Sequence, residues 1–163
     1  LKFAGAKWGW RVPEADPIPD PDVEAELDGL LAELGEAHAV GSSRKAAEAT
    51  RRVWRLANRR FAEAQPWATV KGDPARAARQ VREALDLVRL CAAVAWPFVP
   101  ELSERLLSAL GEAETPPRLP ERAKDAFGAV PHGRRLQDPG RPFSKLGGEW
   151  VETQKSRFGA ADA

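Results

Sequence analysis

The chain has no methionine, one cysteine and two histidines among 163 residues. Without methionine it does not begin where translation begins, and it opens on Leu1-Lys2-Phe3-Ala4 with no capping residue, as though cut inside a helix. The expectation is an excised or processed piece of a longer protein. The lone Cys91 excludes an internal disulfide and fits a reducing, cytoplasmic setting. His38 and His132 lie far apart, with no second Cys or His at ligand spacing, which argues against a zinc site. No apolar run approaches the ~20 residues that cross a bilayer, and no secretory signal is visible, so no membrane partner is expected. An excess of either charge is also missing: 25 Lys and Arg face 24 Asp and Glu, for a net +1. A nucleic-acid surface on this chain must be a local patch, not a global field.

Catalytic signatures are missing as well. Gly147-Gly148 lacks the Lys-Ser or Lys-Thr of a phosphate loop, and no serine stands in a nucleophile-elbow context. The many carboxylates alternate with Arg and Lys on helix faces, where solvated ion pairs are the default. The sequence therefore predicts no catalytic residue, no metal and no cofactor in this chain.

What is present is helical periodicity. Residues 1–22 read as the end of a helix, with Phe3, Trp8 and Trp10 around Gly5 and Gly9, and then a linker stiffened by Pro13, Pro17, Pro19 and Pro21. Residues 23–111 read as a helical bundle. A first full helix, Pro21 to Ala39, carries Val23, Leu27, Leu30, Leu31 and Leu34 on one stripe. A second, from Ser43 to about Gln65, buries Ala46, Thr50, Val53, Trp54, Ala57 and Phe61. A third, Pro74 to Ala95, starts behind an Asp73 cap and buries Ala77, Val81, Leu85, Val88 and Ala92. Cys91 falls in its most apolar part, a place for packing and not for nucleophilic work. A fourth follows Trp96-Pro97-Phe98-Val99-Pro100-Glu101 and runs to Leu110, stopped by Gly111. Residues 112–163 read as a linker, a short helix over Arg122 to Phe127, an extended return segment, and a last helix from Glu149 to Phe158. Phe143, Leu146, Trp150, Val151 and Phe158 are its expected anchors across the bundle. The fold class is thus all-α: an antiparallel bundle of about four main helices with an irregular tail folding back.

One stretch, Ala57 to Trp67, carries the functional interest. Pro66 lacks an amide proton and should end the second helix near Gln65, leaving Trp67 at the mouth of a turn. Arg44, Arg51, Arg55 and Arg59 recur at about four-residue steps on that helix, with Arg52 and Arg60 beside them. A flat aromatic beside positive charge suits an unpaired nucleotide, which needs a stacking platform and phosphate neutralisation. Trp67, Arg55, Arg59 and Lys71, in the following turn, are therefore the candidate RNA-binding residues. Two plain alternatives stand beside this: Trp67 plugging the gap between two helices, and the arginines forming a solvated face.

Three segments in order resemble the C-terminal anticodon-binding domain of methionyl-tRNA synthetases, class I aminoacyl-tRNA ligases. They are Ala57-Asn58-Arg59 with Pro66-Trp67, then Trp96-Pro97-Phe98-Val99-Pro100-Glu101, then Pro131-His132-Gly133-Arg134-Arg135 with Pro142-Phe143-Ser144-Lys145-Leu146. The likeness covers about Val23 to Leu146. It implies that Trp67 stacks on an anticodon base and that the partner is the anticodon stem-loop of methionine tRNA, not DNA. It also implies a parent catalytic domain using ATP and methionine, which this chain lacks. The family's other base-reading residues, an Asn and an Arg, are expected on a helix that precedes Leu1, so this piece alone should bind tRNA poorly. Arg60 departs from the family, standing where an aromatic is usual. That departure leaves open a second reading: a synthetase-derived interaction module of a specialised-metabolism enzyme that no longer reads tRNA.

Overall fold

A computed structural model describes the chain except residues 114, 115, 142, 144–146 and 159–163. Leu146, expected as an anchor, lies outside the described residues, as does most of the Pro142 to Leu146 segment. The described residues form seven α-helices: α1 (Lys2–Trp8), α2 (Pro21–Ala39), α3 (Ser43–Ala64), α4 (Pro66–Thr69), α5 (Pro74–Ala95), α6 (Pro100–Ala109) and α7 (Gly148–Phe158). A single 3-10 turn spans Ala123–Asp125, shorter than the helix expected there. No β-strand forms among the described residues; one isolated bridge joins Arg11 and Arg135. The all-α bundle expected from periodicity is the observed architecture.

The long helices start where chemistry allows. The Asp20 carboxylate accepts the Asp22 amide at 3.0 Å at the head of α2, and Asp73 accepts the Arg76 amide at 2.8 Å at the head of α5. Pro21, Pro66, Pro74 and Pro100 each open a helix, at the position where a missing N–H costs nothing. Short connections make α2, α3, α5 and α6 pack each against the next. The main core joins Leu27, Leu30 and Leu34 of α2 to Val53 and Leu56 of α3 and Leu87, Leu90 and Val94 of α5. Leu56 is 1% exposed although the sequence reading left it off the buried face of α3. Inside, the Thr50 hydroxyl donates to the Val94 carbonyl at 3.3 Å, and the Trp54 indole N–H to the Cys91 carbonyl at 3.0 Å.

A second core lies where the chain returns. Val12, Val130 and Leu136 pack with Val81, Leu85 and Leu110. The Val12 amide donates to the Arg134 carbonyl at 2.9 Å, the Gly133 amide to Val12 at 3.0 Å, and the Leu136 amide to Trp10 at 2.7 Å. Trp10 folds back over α1 onto Gly5, where a Cβ would meet the indole ring at 2.4 Å. The return segment therefore folds across the bundle as expected. The last helix does not bury its anchors: Trp150 is 50% exposed, Phe158 72%, and no residue of α7 is buried.

Buried charges on α5 correct the expectation that carboxylates are solvated. Arg82, Glu83 and Asp86 are 1%, 5% and 1% exposed. The Asp86 carboxylate accepts the amides of Gly128 at 2.8 Å and Val130 at 3.0 Å. The Arg82 guanidinium donates to the Ala15 carbonyl at 3.1 Å and to the Val130 carbonyl. Linker and tail offer unpaired backbone groups, and buried ionic side chains on α5 satisfy them.

Candidate nucleic-acid interface

The site is built at the junction of α3, α4 and α5. Helix α3 ends at Ala64 because Gln65 takes a left-handed conformation (φ 46°, ψ 54°), and the Gln65 amide closes the last turn on the Phe61 carbonyl at 3.3 Å. Pro66 then restarts the chain as the first residue of α4, and its ring is buried. The sequence reading placed Trp67 in a turn; it stands instead on this one-turn helix. A proline that breaks the incoming helix is well suited to open the next.

Trp67 is 46% exposed. Its indole meets Phe61 edge to face, with centroids 5.4 Å apart and planes at 62°. That geometry fixes the ring without covering it. Phe61, assigned to the buried face from sequence, is 37% exposed and also lines an apolar groove of about 370 Å³ with Leu1, Phe3, Trp54, Leu106 and Phe143. Cys91 lines the same groove, and burial pushes its thiol up to about 12, so it stays protonated near neutral pH.

The arginines of α3 separate into two groups. Arg59 pairs with Glu26 at 2.5 Å and lies 4.0 Å from Glu63, and Arg52 pairs with Glu33. Arg60 reaches Glu83 at 2.6 Å and Asp20 at 3.6 Å, and so ties the proline-rich linker to α5. The carboxylates of Glu83, Asp20 and Glu63 hold the Arg60 guanidinium above its ordinary range. Arg44, Arg51 and Arg55 are exposed and have no ion-pair partner among the described residues. Lys71 is likewise exposed and unpaired in the turn before α5. Of the four residues singled out from sequence, Trp67, Arg55 and Lys71 present free functional groups, while the charge of Arg59 is already offset. Among the described residues no cluster of His, Cys, Asp or Glu could hold a metal ion. Among the described residues no helix is long and apolar enough to cross a membrane.

Comparisons with known proteins show the family. The family model described as the anticodon-binding domain of methionyl tRNA ligase matches residues 12–163. A methionine–tRNA ligase of Ruegeria sp. strain TM1040 is 34% identical over 160 residues, covering 96% of this chain and 27% of the relative. One from Streptomyces avermitilis is 32% identical over 164 residues, covering 99% of this chain and 29% of the relative. The chain thus spans under a third of the curated relatives it matches. In three dimensions it resembles the free-state crystal structure of Mycobacterium tuberculosis methionyl-tRNA synthetase, with a TM-score of 0.66 and 27% identity over 88% of this chain and 30% of that one. With the family model matching residues 12–163 and methionine–tRNA ligases similar over nearly its whole length, this chain belongs to the family of methionyl-tRNA ligase anticodon-binding domains.

Proposed function

We propose that this domain serves a methionine–tRNA ligase by reading the anticodon stem-loop of methionine tRNA, with Trp67 stacking on one anticodon base. The observation that carries the reading is the indole itself, 46% exposed and braced at its edge by Phe61. Aromatic stacking on a splayed base is the usual route to single-stranded RNA. Arg55, with Arg51 and Arg44 along the same helix, and Lys71 supply unpaired positive charge for the backbone of that strand. Arg59 contributes less, because Glu26 neutralises it. Activation of methionine with ATP belongs to the parent's catalytic domain, the partner of this one. The alternative, an interaction module that has lost RNA, calls for a buried Trp67, and the exposure of the ring favours the RNA reading. The test is a titration of the full-length protein with the anticodon stem-loop and with the same hairpin carrying a changed anticodon. Tighter binding of the methionine hairpin is expected; equal affinity for both would overturn the assignment.

A further inference from the structure

Residues of α3 and α5 also line a second concavity, of about 310 Å³, whose charged lining is Arg60, Glu63, Arg76, Arg79 and Glu83. Its charges do not cancel evenly. Arg60 and Glu83 neutralise each other at 2.6 Å, and Glu63 lies 4.0 Å from Arg59. Arg76 and Arg79 have neither an ion pair nor a side-chain hydrogen bond among the described residues. They stand three residues apart on the first turns of α5, so both guanidinium groups face the same groove. The Asp73 carboxylate already occupies the Arg76 backbone amide, which leaves side chains and not the helix terminus to hold a ligand. Two unpaired planar forks in one concavity suit a tetrahedral anion with several acceptor oxygens.

We infer, resting on the RNA reading of this domain, that the Arg76–Arg79 groove takes a backbone phosphate of the RNA strand whose base stacks on Trp67. The walls of the groove are the last turn of α3, the first turns of α5 and Ile18 of the linker, and α4, which carries Trp67, connects the two helices in the chain. A strand laid across α4 meets the indole and the groove in succession. The contact carries no sequence information and sets the register of the strand on the platform.

The experiment titrates the full-length protein with a labelled methionine-tRNA stem-loop across a series of salt concentrations. It compares wild type, the double variant Arg76→Gln/Arg79→Gln, the double variant Arg76→Lys/Arg79→Lys, and Trp67→Ala. Neutralising the groove should weaken binding about fivefold and make the log–log salt dependence shallower by about 1. The lysine pair should keep the salt slope, and Trp67→Ala should lose affinity with the slope unchanged. An unchanged affinity and slope in the glutamine pair overturns the phosphate site, as does a loss of affinity at unchanged slope. If Trp67→Ala still weakens binding in that case, the stacking reading stands without the groove. If Trp67→Ala is silent too, both fall.

Discussion

At the scale of single residues, the buried charges on α5 are the least expected feature and the most readily tested. Asp86 holds two backbone amides of the return segment, and its carboxylate lies in a site that desolvates it. Burial raises its pKa above the usual 3.8, against the two amide bonds and the nearby Arg82 and Arg89, which lower it. Asp86→Asn can accept on one oxygen only, which strands an amide and costs about 1–3 kcal/mol of stability. The sign of the pH dependence follows from linkage. A carboxyl with a raised folded pKa binds more protons when folded, so its contribution is greatest below 3.8 and declines as pH rises through the raised value. The stability gap between wild type and Asp86→Asn should therefore narrow from pH 3 to 7 in urea titrations; a widening gap would contradict the burial account. Cys91 offers a simpler check. With its thiol pushed up to about 12, it should react with iodoacetamide at pH 8 far more slowly in the native chain than in urea.

At the scale of elements, Arg60 joins three pieces of chain: the proline-rich linker through Asp20, α3 itself, and α5 through Glu83. Glu83 is 5% exposed, so removing its partner leaves a nearly dry carboxylate unpaired. Arg60→Ala should destabilise by about 3 kcal/mol, and Arg60→Leu with Glu83→Leu should recover most of that loss, because a buried pair replaced together by apolar groups is close to neutral. Chemical denaturation of the two variants beside the wild type checks it; a double variant as weak as the single one contradicts it. This network also marks where sequence reasoning stops. The periods of Leu and Val, the Asp caps and the proline starts depend on neighbours within one helix, and they placed α2, α3 and α5 within a residue. Whether Glu83 is solvated or Phe61 exposed depends on what another element lays over it, and no local pattern records that. The same reason explains α7: Trp150 and Phe158 repeat like anchors, yet they stand 50% and 72% exposed, with the neighbouring Arg157 guanidinium over the Phe158 ring.

At the scale of the whole molecule, a net charge of +1 is the sum of unlike faces. The α2–α3 side spends its arginines on Glu26 and Glu33, whereas Arg44, Arg51, Arg55 and Lys71 remain free. That local excess, and not the total, should set RNA affinity, so binding weakens steeply as salt rises. The candidate site was legible in outline because a proline and a tryptophan in sequence announce a helix end with a ring beside it. Its refinement was not, since the pairing of Arg59 and the bracing by Phe61 are tertiary. The proposed role turns on that ring. The most direct measurement is the affinity of the full-length protein for the methionine-tRNA anticodon stem-loop with Trp67 changed to alanine and to phenylalanine. Loss of the stack should cost about 1–3 kcal/mol with alanine, while phenylalanine, which keeps a flat face, should retain most of the binding. Undiminished affinity of Trp67→Ala, with the fold intact, would contradict the account.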